Sequence, residues 1–261
     1  MEMKKKEEII VYQNPDPLLV SRQGIFPGVS LLPNNEILII FSIGQAFDSS
    51  DQRPFVTKSK DNGRTWTTPK QLHNHIYGDH EETDTLKPLL LQNGNLIATG
   101  YAFIRPDPLT PIVNPISFEV LPLKNKISFS NDNGESWTKP NSFSVLEKPL
   151  ELSGPCIQLS SGRILGACPP FHLGENDHSG WIIYSDDNGK TWGKLSEFFN
   201  TPKGEIAAWE CRLCEIDNNG VAVIFWTYDN VKKINLNNHI VYSHDGGENF
   251  GRAIDTGVKA Q

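Results

Sequence analysis

No apolar run in the 261 residues reaches the length of a membrane-spanning helix, and the N-terminus lacks the apolar core of a signal peptide. The chain as written is therefore expected to stay in the cytoplasm, or to be secreted if an export signal has been removed. A cationic excess is missing too. The 24 basic residues face 31 acidic ones, for a net charge of −7. That balance argues against nucleic-acid binding by bulk electrostatics and leaves room for a local positive pocket for a small anion. There is no Asn-x-Ser/Thr sequon. Cysteine is scarce, at four residues. Cys211 and Cys214 resemble a metal-binding pair, but in a strand residues three apart face opposite ways, so buried free thiols are expected. Sustained helical periodicity is absent, and 18 prolines with 21 glycines would break most helices.

What is there repeats. Four boxes read SKDNGRTW (Ser59–Trp66), SNDNGESW (Ser130–Trp137), SDDNGKTW (Ser185–Trp192) and SHDGGENF (Ser243–Phe250). In each, Asn-Gly or Gly-Gly supplies the positive φ angles of a tight hairpin turn. The aspartate bonds neighbouring N–H groups, and an aromatic side chain folds back beneath the turn. Upstream of each box two apolar runs flank a polar turn, as in Val29–Phe41, Pro88–Tyr101, Pro155–Cys168 and Leu213–Trp226. Each unit reads as strand, turn, strand, loop, strand, clasp, strand. Repetition of a four-stranded unit of roughly 55–70 residues predicts an all-β propeller. The blades are expected near residues 20–75, 84–145, 150–200 and 205–261, within one domain spanning 1–261. A Pro-rich insert, Arg105–Pro122, lengthens the second unit and is expected to wall the site.

The boxes are similar to those of the sialidase (neuraminidase) superfamily, the bacterial neuraminidase repeats or Asp-boxes, and the resemblance runs from Gly24 to Phe250. It implies a six-bladed propeller with a carbohydrate site at one end of its axis. It further implies an aspartate acid/base, a tyrosine nucleophile paired with a glutamate, and three arginines that clamp the sialate carboxylate. Arginine forks bind a carboxylate bidentately, and a neutral tyrosine escapes repulsion by the substrate's own charge.

By this resemblance Asp48, in the loop Ser42–Arg53, takes the acid/base place, with Asp51 as its alternative. Glu210, in AAWECRLCEIDNNG, takes the place of the glutamate beside the tyrosine. It reads equally as one half of a structural ion pair with Arg212. Arg22, Arg53 and Arg105 are the basic residues offered to an acidic sugar, with Asp51 beside them. The chain also departs from the family pattern. Ile25 stands where the first arginine belongs, and Ile224–Thr227 holds none. Four boxes account for four blades where the family has six, so the chain reads as a shortened or divergent member. A four-bladed closure and an incomplete sequence both stay open.

The run Asp79–Asp84 is a polar cluster where a site loop is expected, and His172, Glu175, Asp177 and His178 suit either a hydrated loop or a divalent metal; no metal or cofactor is assigned. Trp181, Trp209 and Trp226 suit sugar stacking or core. The expected activity is a sialidase-like exo-glycosidase with a carbohydrate partner, and neither nucleic acid nor membrane. A non-catalytic glycan- or protein-binding propeller is one alternative. A sister hydrolase or lyase on a non-sialic sugar is another.

Overall fold

The computed structural model describes residues 7–74, 81–117, 119–145, 150–169, 179–217 and 219–259. They form four antiparallel sheets, each built from consecutive strands. Blade 1 holds β1 (Gln23–Leu31), β2 (Ile37–Gly44), β3 (Arg53–Ser59) and β4 (Lys70–Gln71). Blade 2 holds β5 (Glu81–Leu90), β6 (Leu96–Arg105), β7 (Leu123–Ser130) and β8 (Asn141–Phe143). Blade 3 holds β9 (Ile157–Gln158), β10 (Ile164–Cys168), β11 (Gly180–Ser185) and β12 (Gly193–Phe199). Blade 4 holds β13 (Ile206–Glu215), β14 (Val221–Asp229), β16 (Asn237–Ser243) and β17 (Ile254–Lys259), with the short β15 (Ile234–Asn235) beside β14. The all-β propeller expected from the repeats is borne out, with four blades.

Burial along the strands reports what covers each blade. In β6 nearly every residue is buried on both faces, as befits a blade sandwiched between two others. In β14 the odd positions Val221, Val223 and Phe225 are buried, whereas Ile224 and Trp226 are about 40% exposed. One face of blade 4 is thus covered and the other is not. Blade 1 likewise exposes Val29 and Leu31 on β1. Three apolar clusters join blades 1 and 2 (Leu38, Leu86), 2 and 3 (Ile97, Ile183), and 3 and 4 (Ile182, Val223). Among the described residues no such cluster joins blade 4 to blade 1.

The boxes fold as local clasps. In the first, Ser59 Oγ donates to Asp61 Oδ1 (2.9 Å) and accepts from Gly63 N (2.8 Å), and Asp61 Oδ1 accepts from Thr65 N (2.8 Å). Trp66 Nε1 closes the turn on the Gly63 carbonyl (2.9 Å). The same bonds recur around Asp132, Asp187 and Asp245, except that Phe250 has no indole N–H to give. Asn62, Asn133 and Asn188 take φ of 59°, 58° and 61°, as the turn demands.

Candidate functional site at the propeller axis

The first strands of the blades face the axis, and two of them are broken by a bulge. In β1 the register with β2 shifts between Ile25 and Gly28; in β13 the register with β14 shifts between Trp209 and Arg212. Each bulge holds a non-glycine residue in the left-handed region: Phe26 at φ 53° and Glu210 at φ 50°. Asp48, on the β2–β3 loop, is a third at φ 54°. Such backbone costs on the order of 1–3 kcal/mol per residue and clusters where geometry serves a site.

Glu210 Oε2 accepts from Arg212 Nη2 at 3.3 Å, so the pairing expected within this strand is present. Arg212 Nη1 also donates to the Cys211 carbonyl (2.9 Å). A Cβ added to Gly154 would stand 3.3 Å from Arg212 Nη1, so the segment that carries Glu151 runs against this bulge. Glu151 lies between the buried Leu150 and Leu152. Asn125 grips Leu150 at both polar atoms, its Nδ2 donating to the Leu150 carbonyl (2.7 Å) and its Oδ1 accepting from the Leu150 N–H (3.3 Å). Glu151 N donates to the Pro169 carbonyl (3.0 Å).

The charges of this cluster act on one another. Burial, and then the negative charges of Glu210 and Asp48, push the Glu151 carboxyl up to about 8, with Arg212 opposing. Burial lifts Asp48 to about 6 against the opposing charge of Arg105. Tyr101, 6% exposed on β6, is pushed well above the ordinary phenol range by burial, then by Glu151, Asp48 and Glu210. Lys87 on β5 is lowered to about 8 by burial and then by Arg212, with Glu210 opposing. At the rim the Phe26 and Phe47 rings meet at 5.1 Å, next to Asp48.

Of the residues singled out in the sequence, Asp48 and Glu210 thus stand in one electrostatic neighbourhood with Glu151 and Tyr101. The basic residues are engaged elsewhere. Arg22 pairs with Asp51, whose carboxylate also accepts from Gln45 N (3.0 Å) and Ser49 Oγ (2.7 Å). Against the upward push of burial, those bonds and the Arg22 charge hold Asp51 below its ordinary range. Arg53 is 2% exposed and donates to the carbonyls of Ser50 (3.0 Å), Gln52 (2.7 Å) and Glu82. Arg105 donates to Thr83 Oγ1 (2.8 Å), the Thr110 carbonyl and the Asp48 carbonyl. It fixes the backbone of Asp48 and belongs to the frame of the site.

Ile25, at the place of the missing arginine, pairs with Ser42 just before the β1 bulge. Beyond Arg105 the insert makes a small hairpin through the Val113–Val120 bridge. Trp181 is buried between blades 2 and 3, Trp209 stacks on Tyr228 (4.9 Å), and Trp226 lies on the uncovered face of blade 4. Cys211 is buried in the blade 3–4 core and Cys214 is exposed. His172, Glu175, Asp177 and His178, with Asp79 and His80, lie outside the described residues. Among the described residues no helix is long and apolar enough to cross a membrane, and no group of three or more His, Cys, Asp or Glu is gathered to hold a metal.

Sequence reasoning missed Phe26, Lys87, Tyr101 and Glu151. The available signal was a lone charge inside an apolar run, Lys87 in Leu86–Leu91 and Glu151 between two leucines.

The BNR/Asp-box repeat model matches residues 183–193, across the third clasp. No curated protein matches the chain in sequence. Among solved structures, a protein of unknown function from Dyadobacter fermentans is 23% identical, with a TM-score of 0.77 over 97% of this chain and 73% of its own. The NanB sialidase from Streptococcus pneumoniae is 14% identical, with a TM-score of 0.67 over 97% of this chain and 54% of its own. An ulvan lyase, a polysaccharide lyase bound to -[GlcA(1-4)Rha3S]-, is 14% identical, with a TM-score of 0.53 over 87% of this chain and 54% of its own. The chain spans about half the length of the sialidase and lyase chains it resembles. The chain thus carries a match to the BNR/Asp-box repeat at residues 183–193, and its propeller fold is similar to that of the sialidases.

Proposed function

We propose that the chain acts on glycans at its axial site, as a sialidase-like exo-glycosidase that hydrolyses terminal glycosidic bonds. The observation that carries this reading is a set of carboxyls held at different protonation in one place. Asp48 is raised to about 6 and Glu151 to about 8, while Glu210 bonds Arg212. Splitting the protonation of neighbouring acids is how a site supplies both a proton donor and a base. Asp48 donates the proton to the leaving oxygen. Tyr101 is the tyrosine of the site, kept protonated at rest, and Glu210 takes its proton as it attacks the anomeric carbon. The Phe26–Phe47 rim offers apolar faces to the sugar ring.

A second reading concerns the sugar. Arg22, Arg53 and Arg105 are bonded within the protein, and Ile25 leaves the first arginine place apolar, so a three-arginine sialate clamp is not supported. A non-sialic sugar, cleaved by hydrolysis or elimination, fits that arrangement. The fold is shared with an ulvan lyase, which supports a polysaccharide as well as a sialoside.

The test is release of 4-methylumbelliferone from a panel of sialoside, glucuronide and neutral glycosides. The reading expects turnover of at least one, reduced about 100-fold or more in Asp48→Asn. Turnover equal in wild type and Asp48→Asn, or none across the panel, overturns it.

A further inference from the structure

Among the described residues three lysines are nine-tenths or more buried: Lys58 (7%), Lys87 (3%) and Lys126 (7%). Two of them carry a carboxylate partner. Lys58 Nζ pairs with Glu135 at 2.5 Å and Lys126 Nζ with Glu82 at 3.0 Å. Lys87, the deepest, has none. Among the described residues its ammonium makes no hydrogen bond or ion pair, and it lies over the Phe26 ring, 5.3 Å from the centroid. A buried cation without a counter-ion is unfavourable, and the fold meets that requirement at the other two sites.

The lysine has little freedom to withdraw. A Cβ on Gly28 would come within 2.9 Å of Lys87 Cδ and 3.1 Å of its Cβ, so the blade 1 backbone closes directly on the stem. Across the axis its charged neighbours are Arg212 and Glu210 on β13. Glu210 is already bonded to Arg212. The strands packed on β5 bring no spare anion: β1 and β2 carry no titratable side chain, and β3 carries Arg53 and Lys58. On β6 stand Tyr101 and Arg105.

We propose that Lys87 is the anchor for an anionic substituent of the bound sugar, a carboxylate or a sulfate ester, so that the axial site selects acidic sugars through a residue on blade 2. This rests on the reading of the axial site as a glycan site. A single ammonium is a point charge, and it accepts either anion without the planar match an arginine fork imposes. It is also titratable, so the anchor weakens once the amine loses its proton. Lys87 is held near 8, within reach of ordinary buffers. Glu151, pushed up to about 8 by burial, gains negative charge over the same range and opposes an anion more as pH rises.

The test is calorimetric titration of the protein with D-glucuronate, galactose 6-sulfate, and the neutral parents glucose and galactose. At pH 6.5 the proposal expects at least one acidic sugar to bind tenfold or more tightly than its parent. That preference is lost in Lys87→Met, which keeps the stem and removes the charge, and it fades in the wild type as pH rises through about 8. Retention of the wild-type melting temperature, or an increase, shows that Lys87→Met is folded. Which acidic sugar binds separates the carboxylate from the sulfate source. Neutral and acidic sugars binding alike, or a preference that persists in Lys87→Met, overturns the anchor and leaves the glycan site standing. No binding in any arm overturns both.

Discussion

Gly134, in the turn of the second clasp, sits directly on Leu38 of the blade before it, so closely that a Cβ on Gly134 would overlap Leu38 Cδ1. The relation repeats around the arc. Gly189 of the third clasp meets Ile127 of blade 2, and Gly247 of the fourth meets Leu165 of blade 3. The clasps therefore latch each blade to its predecessor as well as closing a turn. Gly63, in the first clasp, has only its own blade beneath it, with Trp66 at 3.6 Å. Both Gly134 and Gly63 have positive φ, at 77° and 85°. Alanine at Gly63 pays only for the left-handed backbone, about 1 kcal/mol. At Gly134 overpacking adds about 1–3 kcal/mol. Denaturant midpoints of the two variants give the difference, and equal losses would contradict the latch.

The clasp aspartates make the fold acid-labile. Each is held at about 2, below the ordinary value of 3.8. In Asp61 and Asp245 the first cause is a side-chain hydrogen bond, from Thr65 and Asn249; in Asp132 and Asp187 burial pushes upward and the hydrogen bonds outweigh it. The folded-state value is depressed, so the stabilisation is complete above about 4 and is lost as pH falls toward about 2. Thermal melts from pH 5 to pH 2 are expected to fall through that window, less steeply in Asp187→Asn than in the wild type.

Glu151 works in the other sense. Its folded-state value near 8 lies above the ordinary 4.5, so between those limits the folded state holds a proton that the unfolded chain releases. Stability falls as pH rises through that range. Glu151→Gln removes the titration. It is expected to raise the melting temperature by a few degrees at pH 8.5 and to change little at pH 4.5. A gain that is the same at both values would assign it to packing.

Asn125 is expected to position Glu151 through Leu150. Its amide bonds both polar atoms of that residue's backbone; Asn125→Ala leaves the Leu150 N–H unpaired, at about 1–3 kcal/mol, while the Leu150 carbonyl keeps its bond from Leu152 N (3.0 Å). The variant is expected to lose stability and also to shift the high-pH titration of the site. Unchanged titration in Asn125→Ala would leave Asn125 with a structural role only.

Much of the architecture was legible because the clasps are local. The Ser-x-Asp-x-Gly-x-x-Trp spacing closes its hydrogen bonds within eight residues, and no distant contact is needed to read them. The Glu210–Arg212 pair was legible for the same reason, since both sit on one strand. The β13 bulge that gives Glu210 its left-handed backbone was not. The rest of the axial site is assembled by the arc of the blades. Lys87 lies in a segment that reads as a core strand, Tyr101 in another, and Glu151 between leucines in a short connection. Local pattern cannot say that these face one another. Nor can it say that Arg53 turns inward to carbonyls while Arg105 braces the backbone of Asp48. An arginine in a loop sequence looks the same whether it waits for a ligand or holds the frame.

The most direct measurement is a crystal structure of the protein with the best-binding sugar of the acidic and neutral panel. The account predicts the sugar at the axis between β5 and β13, with its anionic group on Lys87, its ring near Phe26, and Asp48 and Glu210 toward the anomeric carbon. A sugar seated instead at the clasp end beside Asn188 and Asp245, with the axial residues uncontacted, would contradict it.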